Sequence, residues 1–188
     1  RQDPAPPAPV QPEQPAPGAP APLAPAAAPA PTIASPQPAP AAFSPVEPSV
    51  YNPRLGPKMK VGWKMAHKVF EGPFGPSPKS LIAIIEREDE TYWGLVVGDD
   101  NKSWPAGPLA EPGIDRATKV PAISFFDADG NGTTDLLVMA EYTVGRGVVH
   151  YKNALLKWTP EGMRRLLKLE PSIYDLRSVA DIKRKLGR

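Results

Sequence analysis

The chain has 188 residues, no cysteine and 28 prolines, and its 22 basic and 20 acidic residues leave a formal net charge of +2. The missing cysteine excludes disulfides, thiol catalysis and a lipidated cysteine, and the near balance of charge removes any bulk electrostatic case for nucleic acid or an anionic surface. No run of 18 apolar residues occurs, so no membrane-spanning helix is predicted.

The prolines are unevenly placed. Nineteen of the 28 lie between Pro4 and Pro57, interleaved with alanine in runs such as Ala19-Pro20-Ala21-Pro22. Such a stretch lacks both the backbone donors and the apolar bulk for a core, so residues 1–57 are expected to be a disordered or polyproline II tether. Residues 58–188 are enough for one domain.

Within it, Val61 to Phe70 admits two readings: Val61, Trp63, Met65 and Val69 alternate as a strand would, while Met59, Trp63, Ala66 and Phe70 also fit a helical face, and the strand is the expectation. Ser80 to Arg87 and Thr91 to Val97 are β-rich runs on either side of Glu88-Asp89-Glu90, which predicts a hairpin with a charged tip. Ala122 to Phe126 and Leu136 to Tyr142 are strand-length apolar runs, the second continuous enough for burial on both faces. Val148 to Tyr151 follows the Gly145-Arg146-Gly147 turn. Leu155 to Trp158 and Met163 to Leu169 flank Thr159-Pro160-Glu161-Gly162, whose Pro and Gly suit a type I turn. Ser178 can cap a closing helix through Leu186, with Asp181 in its first turn and Lys183 to Lys185 in its last, matching the helix dipole. The expected fold is mainly β: an antiparallel sheet of six or seven strands with one short C-terminal helix, behind the tether.

The residues richest in chemistry join two of these strands, in Phe126-Asp127-Ala128-Asp129-Gly130-Asn131-Gly132-Thr133-Thr134-Asp135-Leu136. A hard cation such as Ca²⁺ takes six to eight oxygens, and alternate Asp and Asn side chains on a tightly curled loop converge on one point. Gly130 and Gly132 permit the positive φ such a curl needs. Asp-Gly and Asn-Gly also mark plain hairpin turns, but a turn needs one such pair, whereas three carboxylates in nine residues repel one another unless a cation neutralises them. An EF-hand is excluded, because position twelve counted from Asp127 is Val138 where a bidentate Glu is required.

Asp-x-Asp-Gly-x-Gly-x-x-Asp-Leu between two strands resembles the calcium loop of the FG-GAP and VCBS repeats of integrin propellers and secreted bacterial proteins. That resemblance implies that the side chains of Asp127, Asp129, Asn131 and Asp135 and the main-chain carbonyl of Thr133 are calcium ligands. One good copy is present, and Gly98-Asp99-Asp100-Asn101-Lys102 is a degenerate echo, so a closed propeller of four or more blades is not expected.

No catalytic constellation is recognised. His67 and His150 lie far apart without nucleophile-elbow, phosphate-loop or zinc spacing. Glu86, Glu88, Asp89 and Glu90 read as a solvated hairpin tip, and Trp93, Trp104 and Trp158 read as core rather than as a sugar-binding face. Arg1 in place of Met fits a processed, exported chain, and the millimolar calcium outside the cytosol suits a loop with an affinity of roughly 10⁻⁵ to 10⁻³ M. A periplasmic or secreted, non-enzymatic, calcium-stabilised binding or structural module is expected, its partner an envelope protein or cell-wall component. The alternative is a periplasmic inhibitor of a wall-degrading enzyme such as lysozyme, acting through Gly145-Arg146-Gly147 or Trp104-Pro105-Ala106-Gly107-Pro108.

Overall fold

The computed structural model describes residues 43–75, 77–109, 116–144 and 147–188. The expected tether before residue 43 and the Gly145-Arg146 part of one candidate inhibitory turn lie outside the described residues. Among the described residues the fold is mainly β, with two antiparallel sheets. In chain order the first sheet takes β1 (Ser44–Pro45), β2 (Lys64–Met65), β3 (Phe70–Phe74), β4 (Ser77–Glu86), β5 (Tyr92–Val97) and β6 (Ser103–Ala106). They pair as β1-β3-β4-β5-β6, with β2 also on β4. The second sheet takes β7 (Arg116–Phe126), β8 (Asp135–Val144), β9 (Val148–Tyr151), β10 (Ala154–Thr159) and β11 (Gly162–Arg165), paired as β11-β10-β8-β7 with β9 on β8. Helices α1 (Pro48–Leu55) and α2 (Val179–Lys185) complete the unit with two short 3₁₀ turns.

The period-2 geometry of strands sorts the apolar residues into three clusters. Ile82 and Ile84 of β4 and Val96 of β5 meet Leu136, Val138 and Ala140 of β8 and Leu156 of β10, and this is the core between the sheets. The intervening residues Leu81, Ala83 and Ile85 point the other way and pack with Leu55 of α1, Val69 and Leu95. On β8, Leu137 and Met139 turn outward to meet Leu155, Ile173 and Ile182 of α2. Both central strands are therefore covered on two faces, which explains why each reads as a nearly unbroken apolar run.

The expected hairpins form. β4 pairs with β5 from Leu81↔Val97 to Glu86↔Tyr92, and β10 pairs with β11 up to Thr159↔Gly162. At the charged tip, Asp89 Oδ1 accepts from the Thr91 N–H at 3.2 Å and from the Thr91 hydroxyl at 2.5 Å. These acidic residues are a hairpin tip. The Ser178 hydroxyl caps α2 by accepting from the Asp181 N–H at 3.1 Å.

Four differences from expectation have physical causes. There are two sheets and eleven strands among the described residues rather than six or seven, the surplus being mostly edge pieces of two to five residues. The expected strand from Val61 to Phe70 is broken: Lys64–Met65 pairs with Glu86 and Ile85, and Phe70 opens β3, with residues between them that belong to neither strand. Met163 to Leu169 is a strand only as far as Arg165. The fourth is at the boundary placed at residue 58, because residues 43–57 belong to the folded unit. Phe43 stacks on Phe125 of the second sheet with centroids 3.8 Å apart, β1 pairs with β3, and Leu55 is fully buried. Arg54 fastens α1 by donating to the carbonyls of Lys79 and Val97, both at 3.0 Å.

Candidate metal centre

The β7–β8 hairpin delivers the loop. β7 ends at Phe126 and β8 begins at Asp135, the two being paired across the ladder. The hairpin register thus places Asp127 and Asp135 at the two feet of the loop. Gly130 and Gly132 take φ of +78° and +83°, the conformation predicted for a chain that must curl back within a few residues.

The curl is organised around Asp127. Its Oδ1 accepts from the N–H groups of Gly130 at 2.7 Å and Asn131 at 3.0 Å, and its Oδ2 from that of Gly132 at 2.9 Å. Partial burial pushes its pKa up, but these three donations, helped by the Arg188 guanidinium, outweigh burial and hold the carboxyl below its ordinary value. Asp129 Oδ1 accepts from the Asn131 N–H at 3.3 Å, and the Asn131 side-chain oxygen accepts from the Thr133 N–H at 2.7 Å.

Three of the five expected ligands converge. One carboxylate oxygen each from Asp127, Asp129 and Asp135 lie within 4.8 Å of one another. Asn131 and Thr133 share the loop, although the Asn131 oxygen is turned to Thr133 as a turn acceptor. Asp135 is fully buried. Its Oδ2 accepts from the Ala128 N–H at 2.9 Å, while its Oδ1, equally inaccessible, has no hydrogen-bond partner. Burial first, then the neighbouring Asp129 and Asp127 charges, push its pKa up to about 6. A buried carboxylate oxygen without a donor is costly, and a cation is the partner that three converging carboxylates fit.

Two cations reach the loop that the sequence did not announce. Lys157 Nζ of β10 stands 3.6 Å from Asp129 Oδ2. Arg188, beyond α2, lies over Gly130, where any side chain would run into its guanidinium. Their distance in sequence left no local signal for either.

The remaining candidate residues are dispersed. His67 lies before β3 and stacks on Phe70, and His150 on β9 stands 3.3 Å from Asp175. His67 thus lies between strands of the first sheet and His150 within the second. Trp104 and Trp158 meet edge to face at 5.1 Å and pack against the central core, and Trp93 packs in the α1 cluster. Trp104-Pro105-Ala106 is not a free loop, because β6 pairs with β5 through Val96↔Trp104 and Gly94↔Ala106. The echo at Gly98 to Lys102 is the β5–β6 turn, in which Asp100 accepts from the Lys102 N–H at 3.1 Å and Asp99 faces Arg54 at 3.6 Å. Comparison of the chain with protein-family models, with curated proteins and with solved structures finds no match.

Proposed function

We infer that this is a calcium-stabilised binding or structural module of a bacterial cell envelope, non-enzymatic, periplasmic or secreted, and carried on its Pro/Ala-rich segment. The observation that carries the metal reading is the buried Asp135 carboxylate, whose Oδ1 has no hydrogen-bond partner and which has an oxygen within 4.8 Å of oxygens of Asp127 and Asp129. Asp127, Asp129 and Asp135 would hold the ion, with Asn131 and the Thr133 carbonyl as the further ligands that the FG-GAP and VCBS resemblance suggests. Its role is structural. The loop ties β7 to β8, and a cation there neutralises like charges at the end of the central ladder. An oxygen-only, flexible donor set favours Ca²⁺ over Mg²⁺, which demands near-ideal octahedral geometry and keeps its waters.

The test is thermal unfolding of the whole chain in chelator, in millimolar Ca²⁺ and in millimolar Mg²⁺, alongside calorimetric titration. Ca²⁺ at about 100 times its dissociation constant should stabilise the native state by roughly 2.7 kcal/mol. Superimposable melting curves with no heat of binding would reduce the loop to a glycine-rich turn.

A further inference from the structure

The two cations at the acidic loop are brought there by the fold. Ala128, the residue between Asp127 and Asp129, is buried in one cluster with Ile182 of α2, and Phe126 and Leu186 pack against that cluster. Lys183 holds its Nζ 4.9 Å from the centre of the Phe126 ring. α2 then closes on Gly187 at φ +73°, the Gly187 N–H donating to the Arg184 carbonyl at 3.1 Å and the Arg188 N–H to the Lys183 carbonyl at 2.8 Å. This pair of bonds through a left-handed glycine turns the chain back on itself. It carries the Arg188 guanidinium over Gly130, where its charge acts on Asp127. From β10, the half-buried Lys157 reaches Asp129 Oδ2 at 3.6 Å. Among the described residues no other carboxylate pairs with either cation.

We propose that Lys157 and Arg188 are internal counter-ions of the loop, which neutralise its carboxylates when no metal is bound and which Ca²⁺ must displace in order to bind. The inference rests on the calcium reading and adds to it what sets the affinity. Three carboxylates with oxygens within 4.8 Å of one another repel, and a cation from each of two elements relieves that repulsion in the metal-free fold. A divalent ion ligated by Asp127 and Asp129 would share those carboxylates with both cations, and like charges drawn to the same oxygens repel in turn. Binding therefore exchanges two protein cations for one metal ion. Both side chains are long and border solvent, so they can swing aside while the backbone of α2 and β10 stays in place. The attraction that steadies the metal-free loop is subtracted from the affinity for the ion, which keeps the site weak and responsive only where calcium is plentiful.

The test is calorimetric titration of Ca²⁺ into the full chain and into its Lys157→Gln, Arg188→Gln and doubly substituted variants, with melting curves in chelator alongside. Each single variant should bind Ca²⁺ several-fold more tightly, and the double variant about ten-fold more tightly, while all three melt lower than the parent in chelator. Arg188→Lys, which keeps the charge and changes the shape, should bind like the parent. Lys102→Gln, which removes the same charge on the β5–β6 turn, should do so too. Unchanged or weaker Ca²⁺ binding in both single variants overturns the proposal, and so does equal tightening in Lys102→Gln, which would reduce the effect to net charge. A double variant that melts at or above the parent in chelator overturns it as well, since the carboxylates would then need no counter-ion. No heat of binding in either the parent or the double variant brings down the calcium reading and this inference together. Equal Ca²⁺ binding by all of them leaves the calcium reading standing and removes only the counter-ion role.

Discussion

The Asp135 carboxyl is buried, half satisfied and held at a pKa of about 6, against an ordinary value of 3.8. A folded-state pKa above the unfolded one means that the native state favours the proton. In chelator, the contribution of this group is therefore fully present below about pH 3.8 and is lost as pH rises through 6, a difference of about 3 kcal/mol. Asp127 works in the opposite sense, its lowered pKa adding stability that is present above pH 3.8 and is lost as pH falls further. Asp135→Asn keeps the acceptor for the Ala128 N–H and removes the charge. In chelator at pH 7.5 this variant should melt higher than the parent, should lose the fall in stability between pH 4 and 7, and should no longer respond to Ca²⁺. A melting temperature below the parent's in chelator would show that the ionised carboxylate is not a burden. Asp127→Ala and Asp129→Ala should also abolish the calcium response, whereas Asp99→Ala, on the β5–β6 turn, should preserve it. At this scale the sequence was informative where ligands are close together. Alternate Asp residues and two glycines within nine positions announced the convergence of Asp127, Asp129 and Asp135, while Lys157 and Arg188 arrive through tertiary packing and leave no local trace.

Strands and helices were legible in proportion to their burial. β4 and β8 are covered on both faces and stood out as apolar runs, and the Ser178 cap and the basic last turn delimited α2. α1 was invisible for a specific reason. Pro48 sits in its first turn, where a missing N–H does no harm, but Pro53 lies inside it, so composition assigned the segment to the tether. What makes it helical is tertiary: Leu55 is buried against β4 and Arg54 is bound to two sheet carbonyls. Short edge strands such as β2 and β6 likewise owe their form to a neighbour, not to their own residues. The outward cluster that holds α2 gives a prediction. Ile182→Ala should cost about 2–5 kcal/mol in urea unfolding, and Ser178→Ala about 1 kcal/mol through the lost cap. A change under half a kcal/mol for Ile182→Ala would mean that α2 is not integral to the fold.

For the whole molecule, composition placed the onset of folding some fifteen residues too late, because it weighs proline content and cannot see Phe43 reaching Phe125 or β1 joining β3. A chain beginning at Phe43 should unfold cooperatively with a melting temperature close to that of the full chain, and one beginning at Lys58, stripped of Leu55 and Arg54, should be destabilised by several kcal/mol or fail to fold. Equal stability of the two would place α1 outside the cooperative unit. The Phe43 anchor also has a mechanical meaning. β1 contributes only two residues to the edge of its sheet and Phe43 grips the opposite sheet by one ring, so tension entering from the N-terminal side loads these contacts one after another, as a zipper is loaded, before it reaches Leu55. Straightened, the chain from Phe43 to Leu55 would reach on the order of 45 Å. A pull from that side would strip Phe43 and β1 first, ahead of the buried Leu55 on which the rest of the fold depends.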